Sequence, residues 1–105
     1  MLFRSYLILT INQSELLSIS KQENIIALGN IDRNYINFLL SCSSYLIFPS
    51  IIESLGIPLL EAKFSNLKII ASNIKIVNEI SSPFLSFNPE EINSIKSAIL
   101  SSIKI

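Results

Sequence analysis

The sequence predicts an α/β domain in which helices cover both faces of a doubly wound sheet of about five parallel strands. First, five short apolar runs rich in Ile, Leu, Phe and Tyr alternate with segments whose apolar residues repeat at helical spacing. Such alternation implies parallel strands that are joined by right-handed crossovers. Second, polar residues bound each run, which suits strands that are covered on both faces. Third, the 105 residues contain no linker, repeat or charge block, so we expect a single domain.

The five predicted strands are residues 6–11, 25–28, 45–48, 68–72 and 84–87. The predicted helices are residues 14–20, 32–43, 58–64, 74–80 and a C-terminal helix from residue 88 onward. Asp32 is suited to cap the second of these helices, and Pro58 suits the first turn of the third. In the last helix we expect Asn88 to be the cap, Pro89 the first residue and Glu91 the partner in a capping box. The apolar stripe of that helix consists of Ile92, Ile95, Ile99 and Ile103.

The composition excludes several kinds of active site. The chain has no His, and Cys42 is its single cysteine. Histidine-dependent nucleophilic catalysis, imidazole metal sites, internal disulfides and CxxC sites are therefore excluded. Eight basic and eight acidic side chains give a net charge of zero, so no basic surface indicates nucleic acid as a partner. The sequence has neither a GxGxxG motif nor a P-loop. Cys42 lies in an apolar helical segment and is expected to be a small buried residue.

Half of the residues are hydrophobic (50%), which raises the question of a membrane segment. No stretch of about 18 apolar residues is present, as a spanning helix would require. Residues 1–11 have some features of a signal peptide, but Arg4 interrupts the apolar run and no small-x-small cleavage site follows. A buried strand is the favoured interpretation. We therefore expect a cytoplasmic protein, and its apolar surface has two alternative uses: peripheral contact with the inner face of a membrane, or contact with another domain.

The candidate ligand site lies in the loops that follow the predicted strands, because ligands of open parallel sheets bind beyond the carboxyl ends of the strands. Both glycines, Gly29 and Gly56, fall in such loops. Gly56 precedes a helix whose N-terminus offers unpaired N–H groups and a positive dipole end to a phosphate or a sugar hydroxyl. Glu53 and Glu61 can face the same cleft, where carboxylates accept hydrogen bonds from paired hydroxyls. A surface role for both carboxylates remains the alternative, because the helix dipole alone favours an early Glu.

Residues 53–62, E-S-L-G-I-P-L-L-E-A, follow F-P-S at residues 48–50. Together they resemble the signature of the family-4, or group 1, glycosyltransferases, which is approximately FPS-x-x-E-G-F-G-[LI]-P-x-[LI]-E-A. Other segments resemble further motifs of the family in the correct order, and the resemblance covers nearly the whole chain. They are residues 26–31 (V-x-F-x-G-x-V), 35–45 (L-x-x-L-Y-x-x-A-D), 68–72 (P-V-I-A-S), 78–80 (P-E-[VI]) and 87–89 (F-x-P).

The resemblance implies a half of the two-domain GT-B arrangement, in which Rossmann-like domains enclose the active site. Residues 1–105 are similar to the C-terminal, donor-binding domain, without its first strand and without the N-terminal acceptor domain. By resemblance, Glu53 contacts the transferred sugar as the catalytic residue, and Glu61 binds the ribose of a nucleotide sugar. Further donor contacts fall on the backbone of Ser54, Leu55, Gly56 and Ile57 and on the nucleobase loop of Gly29, Asn30 and Ile31. The family transfers the sugar with retention, generally without a metal or another cofactor, and commonly in polysaccharide or glycoconjugate synthesis.

This sequence also departs from the family pattern. Ser54 replaces the usual Gly, Leu55 replaces an aromatic residue, and Asn66 stands in a turn where the family has Gly, a position at which Asn can adopt the left-handed conformation. The basic pair with which the family clamps the diphosphate has no counterpart; Arg4 and Lys21 are poorly placed for it. Three hypotheses remain open: the donor domain of an enzyme, a remnant or nucleotide-sugar-binding module that needs a partner chain, and an unrelated flavodoxin-like domain.

Overall fold

A computed structural model describes residues 6–9, 24–52 and 55–103 of the chain. Within these ranges, strands and helices alternate as β1 (Leu7–Leu9), β2 (Ile25–Ala27), α1 (Arg33–Cys42), β3 (Tyr45–Phe48), α2 (Ile57–Phe64), β4 (Lys68–Ser72), α3 (Lys75–Ile80), β5 (Leu85–Phe87) and α4 (Ile92–Ile103). The α/β class is confirmed, and the strands lie where the apolar runs predict them. The helix predicted at residues 14–20 lies outside the described residues.

Hydrogen bonding arranges these strands as two parallel sheets, β1–β2 and β3–β4–β5, whereas the sequence predicted one sheet of about five strands. The chain correspondingly divides into an N-terminal unit, Met1–Ile36, and a C-terminal unit, Asn37–Ile105. An apolar run specifies that a strand forms, but it carries no information on which strand becomes its neighbour. The number of strands was therefore predictable, and the composition of each sheet was not.

In the N-terminal unit, β1 and β2 pair with Leu7 opposite Ile25 and Leu9 opposite Ala27. A hydrogen bond of 2.9 Å from the Leu28 N–H to the Leu9 carbonyl extends the ladder at its carboxyl end. The chain then passes through Gly29, whose φ is +71°, toward the start of α1.

Asp32 caps α1 as the sequence predicted. Its Oδ1 accepts a hydrogen bond of 2.9 Å from the Tyr35 N–H, and its carbonyl accepts one of 3.1 Å from the Ile36 N–H. The side chain thereby satisfies one of the amides that have no partner within the helix. At the other end of α1, Cys42 is exposed, so the expectation that it is buried was wrong. None of the side chains of α1 is buried, so Cys42 shares the exposure of its whole helix.

In the C-terminal unit, helices cover both faces of the sheet, as expected of a doubly wound domain. Alternate residues of β4 point to opposite faces, because side chains of a strand alternate. One core cluster lies toward α2 and α3 and contains Phe48, Leu59, Ala62, Ile69, Ala71 and Val77. A second lies toward α4 and contains Ile70, Phe87 and Ala98. Leu59, Ile70 and Val77 are at most 1% exposed, and burial of such a side chain contributes about 1.5–3 kcal/mol.

The C-terminal helix differs from its prediction in two respects. It begins at Ile92, because residues 88–91 form a turn in which Asn88 Oδ1 accepts the Glu90 N–H at 3.0 Å. Asn88 therefore caps this turn and not the helix. Moreover, α4 faces the core with Ala98 and Ser102, while Ile92 is 82% exposed.

The sheet explains why small residues of α4 face the core. Phe87 and Tyr45 project from β5 and β3 into the space beneath α4, and the Tyr45 hydroxyl donates a hydrogen bond of 3.1 Å to the Ser102 carbonyl. The small side chains of Ala98 and Ser102 let α4 approach these two aromatic rings closely, and Ile95 packs against the same cluster. Of the expected stripe of isoleucines, Ile95 thus faces the core, whereas Ile92 and Ile103 are exposed.

Helix α2 ends in a Schellman motif in which Asn66 takes the left-handed position with a φ of +56°. The Leu67 N–H donates to the Ala62 carbonyl at 2.9 Å, and the Asn66 N–H donates to the Lys63 carbonyl at 3.1 Å. These two bonds define the motif, and Leu67 then packs against the first core cluster. The left-handed conformation expected for Asn66 is confirmed.

This turn gives a direct test of the packing of α2. Replacing Asn66 by Ala should lower the free energy of unfolding by about 1 kcal/mol, because a residue with a Cβ and no local polar group is strained in the left-handed region. Replacing it by Gly should leave the stability unchanged or raise it slightly. Urea denaturation measures both. As a control, Asn93→Ala, at an exposed position in the first turn of α4, should change stability by less than about 0.5 kcal/mol. Equal losses in the Asn66→Ala and Asn66→Gly variants would contradict the assignment.

Candidate functional site

The candidate site lies at the carboxyl edge of the β3–β4–β5 sheet, where three loops follow three parallel strands. Hydrogen bonds tie this edge together. The Ser72 hydroxyl, fully buried at the end of β4, donates to the Phe48 carbonyl at 3.3 Å. The Asn73 N–H donates to the Phe87 carbonyl at 2.8 Å. The ends of β3, β4 and β5 are thus fixed relative to one another, and ligands of open α/β sheets bind at this edge.

Gly56 directly precedes the first residue of α2, in a backbone conformation that favours glycine. Its φ and ψ are +63° and +37°, in the left-handed region, and its carbonyl accepts hydrogen bonds from the Leu59 and Leu60 N–H groups at 3.0 and 3.1 Å. A Cβ at this position would stand 2.6 Å from Ile80 Cδ1 and 3.3 Å from Leu59 Cδ1. The backbone conformation therefore favours glycine, and a residue with a Cβ would also require the end of the Ile80 side chain to shift.

The first turn of α2 presents a small polar surface to solvent. Pro58 has no N–H, and the Leu59 and Leu60 N–H groups already bond to Gly56. The Ile57 N–H is thus the amide of this turn without an acceptor inside the helix. Leu55 and Ile57, the residues on either side of Gly56, are 66% and 45% exposed. An anion at this point would meet amide donors and the positive end of the helix dipole.

Glu61 lies on the outer face of α2, four residues after Ile57. The inner face is occupied by Leu59 and Ala62, which are fully buried, whereas Glu61 is half-buried. Residues four apart share one helix face, and side chains of a helix lean toward its N-terminus. Glu61 therefore shares a face of α2 with Ile57 at the start of the helix, and the cleft that it was predicted to share with Glu53 stays a prediction.

The other predicted site residues are either not described or belong to the N-terminal unit. Glu53 and Ser54 lie outside the described residues, so the catalytic role of Glu53 and the backbone contact at Ser54 stay predictions. Gly29, Asn30 and Ile31 belong to the N-terminal unit, in which Asn30 is exposed and Ile31 half-buried. Of the predicted donor-binding residues, the structure brings Leu55, Gly56, Ile57 and Glu61 together around the start of α2.

Sequence reasoning did not identify the residues that hold this segment in place. Ser72 bonds the end of β3, and a serine at the carboxyl end of an otherwise apolar strand was a readable signal. The Asn78 amide donates to Asn73 Oδ1 at 3.0 Å, which fixes the loop between β4 and α3. The Ile80 side chain fills the space beside Gly56. Sequence spacing does not predict this contact, because the two residues belong to different structural elements.

Neither a metal site nor a membrane-spanning helix is found in the part of the chain that the structure describes. No three side chains of His, Cys, Asp or Glu gather there as a metal ion would require. No helix within the same part is long and apolar enough to cross a membrane.

The geometry of Gly56 predicts a large effect of a small substitution. Gly56→Ala should lower the free energy of unfolding by about 2 kcal/mol or more, since a left-handed alanine costs about 1–2 kcal/mol and its methyl overlaps Ile80. Thermal and urea unfolding measure the loss. Introducing Ile80→Val into this variant removes Cδ1 and should recover the steric part only. If Gly56→Ala is as stable as the unmodified chain, the left-handed turn is absent in solution.

Comparison with known proteins assigns the chain to a family. The sequence model of the family described as glycosyl transferases group 1 matches residues 12–104. The chain is also similar to the O-antigen chain mannosyltransferase RfbU of Salmonella typhimurium strain LT2. The two are 32% identical over 88 residues, which cover 83% of this chain and 25% of RfbU. The chain thus spans about a quarter of the length of this curated relative. With a match over nearly all of its residues, the chain belongs to the group 1 glycosyltransferase family.

Proposed function

We propose that the chain supplies the donor-binding domain of a retaining glycosyltransferase that uses a nucleotide sugar. One observation carries the proposal: the segment that resembles the family signature folds into a left-handed turn at Gly56 and an accessible helix start, with Glu61 on the same helix face. Amide donors and a carboxylate acceptor are the two groups that a sugar nucleotide needs, for its phosphates and for its hydroxyls.

In this proposal, the backbone of Leu55, Gly56 and Ile57 donates hydrogen bonds to phosphate and sugar oxygens, and Glu61 accepts the ribose hydroxyls. Glu53 contacts the transferred sugar, and the loop of Gly29, Asn30 and Ile31 lies against the base.

The bond between the anomeric carbon and the phosphate oxygen breaks, and the nucleoside diphosphate leaves with the electron pair. The acceptor oxygen bonds to the anomeric carbon on the same face of the sugar, and its proton passes to the phosphate oxygen that leaves. The positive end of α2 stabilises the negative charge that develops on the leaving group. No metal or other cofactor is invoked.

We further propose that the acceptor is bound by a domain outside this sequence. RfbU is about four times as long as the matched segment, and a single donor-binding wall cannot align two substrates for reaction.

The setting that we propose is polysaccharide or glycoconjugate synthesis in the cytoplasm, at the inner face of a membrane. The similarity to RfbU, an O-antigen chain mannosyltransferase, supports the polysaccharide setting. Exposed apolar side chains near the site support contact with a membrane or a second domain: Ile52 is 90% exposed, Leu55 66% and Phe64 87%.

A second candidate function is a nucleotide-sugar-binding module that performs no transfer by itself. Binding and transfer are therefore tested separately.

The first test concerns binding of the donor. Isothermal titration of the chain with GDP-mannose, UDP-glucose and UDP-N-acetylglucosamine should show saturable binding of at least one of them. Glu61→Ala should weaken this binding by roughly 10- to 100-fold, because a hydrogen bond to a charged group contributes about 1.5–3 kcal/mol.

The matched control for this test is Glu79→Ala. Glu79 is an exposed carboxylate on α3 that lies 3.9 Å from Lys75, and its removal should leave the Kd unchanged. If none of the three nucleotide sugars binds to the unmodified chain, the donor-binding function is wrong. If Glu61→Ala and Glu79→Ala bind alike, only the role of Glu61 is wrong.

The second test concerns transfer. A chimera in which this chain replaces the aligned segment of RfbU should transfer sugar, and Glu53→Gln should lower its kcat by at least about 100-fold, as expected when a group that stabilises the transition state is lost. Circular dichroism should show the same unfolding midpoint for both chimeras. Retained activity in the Glu53→Gln chimera would exclude a catalytic role for this carboxylate, and an inactive but correctly folded chimera would favour the binding module.

A further inference from the structure

The left-handed turn at Gly56 is closed by a residue from another helix. Of the three heavy atoms nearest to the position of a Gly56 Cβ, two belong to Ile80 and one to Leu59. Ile80 Cδ1 is the nearest, at 2.6 Å, and Leu59 is part of α2 itself. The contact that α3 makes with the turn is therefore the Ile80 side chain.

Ile80 is itself held from two directions. It is the last residue of α3, and the N–H and hydroxyl of the following Ser81 both donate to the Val77 carbonyl, at 2.9 and 3.0 Å. Val77 is fully buried in the first core cluster, against which Ile80 packs. From the other side, Lys63 Nζ in the last turn of α2 donates to the Ile80 carbonyl at 3.4 Å. The Ile80 side chain consequently reaches Gly56 from a position fixed by both helices.

Helix α3 also connects this contact to the sheet. The hydrogen bond between the side chains of Asn78 and Asn73 ties α3 to the loop after β4, and the Asn73 backbone bonds to the end of β5. A displacement of the carboxyl edge of the sheet is thus transmitted through α3 to the turn at Gly56.

We propose that Ile80 is a positioning residue of the donor site, which sets the backbone direction of residues 55–57 by filling the space beside Gly56. This inference rests on the proposed donor-binding function and adds to it a residue that does not touch the donor. Ile80 restricts Gly56 to the left-handed turn, since glycine alone would sample many conformations. The Ile57 amide is thereby held in the direction in which it meets the ligand.

The experiment compares Ile80→Val, which deletes Cδ1, with Ile76→Val. Ile76 is a matched control, because it lies on the same helix and packs against the same core cluster, and its atoms are not among the three nearest to the Gly56 Cβ position. Each variant is measured by urea unfolding, by titration with the nucleotide sugar that the unmodified chain binds, and by nuclear magnetic resonance. The chain has two glycines, so selective ¹⁵N-glycine labelling gives two amide signals, and Gly56→Ala identifies that of Gly56.

We expect both substitutions to lower stability by similar amounts. Ile80→Val alone should shift the Gly56 amide signal and raise the Kd about tenfold, since small displacements of binding groups cost affinity steeply. The effects of Gly56→Ala and Ile80→Val on the Kd should also be non-additive, because the two positions are in contact.

Each outcome decides between the two proposals. Equal Kd values and an unmoved Gly56 signal in the Ile80→Val and Ile76→Val proteins would overturn the role of Ile80 while leaving the donor site intact. If the unmodified chain binds no nucleotide sugar, the proposed function is overturned, and the positioning role of Ile80 falls with it.

Discussion

The close approach of α3 to the backbone at Gly56 is the constraint on which the candidate site depends. A Cβ at this position would require the end of the Ile80 side chain to move and would also be strained in the left-handed region. Because glycine adopts this conformation without strain, the chain turns at Gly56 and enters α2, where the Ile57 N–H has no acceptor inside the helix. The same turn brings Leu59 and Ala62 onto the core side of α2. One residue thus couples the packing of the helix to the accessibility of its N-terminus.

The sheet supports this turn by packing helices on both of its faces. Toward α4, Tyr45 and Phe87 of the sheet pack near Ala98, Ser102 and Ile95. Toward α2 and α3, Phe48 and Ile69 of the sheet belong to one cluster with Leu59 and Val77 of the helices. The sheet and the helices therefore both contribute large apolar side chains to the core, and the carboxyl edge with the candidate site lies between these two packed faces.

The features that the sequence predicted well are those that depend on a few neighbouring residues. Asp32 caps α1, Pro58 stands in the first turn of α2, and Asn66 adopts the left-handed conformation. In each case the side chain or ring acts on backbone groups within three or four residues, so local sequence contains the necessary information. The segment around Gly56 was predictable for the same reason, together with its resemblance to a known signature.

The features that the sequence did not predict depend on partners far along the chain. Tyr45 bonds to Ser102, which lies 57 residues later in the chain, and this contact helps to place Ala98 and Ser102 of α4 against the sheet beside Ile95. The division of the strands between two sheets depends on which edges meet, and the contact of Ile80 with Gly56 depends on how α3 packs on α2. The spacing of apolar residues describes a single helix or strand. Helix orientation, strand pairing and the contact of Ile80 with Gly56 each depend on two elements that pack together.

In the proposed donor site, the short helix α2 is the recognition element for the sugar nucleotide. The Ile57 amide and the Glu61 carboxylate are four residues apart, which is about 6 Å along a helix axis at about 1.5 Å per residue. One group donates hydrogen bonds at the positive end of the dipole, and the other accepts them. A ligand that has an anionic group and, a short distance away, a pair of hydroxyls can therefore engage both at once. A simple phosphate would use the helix start alone and a free sugar the carboxylate alone, so the spacing itself favours a ligand in which the two are joined.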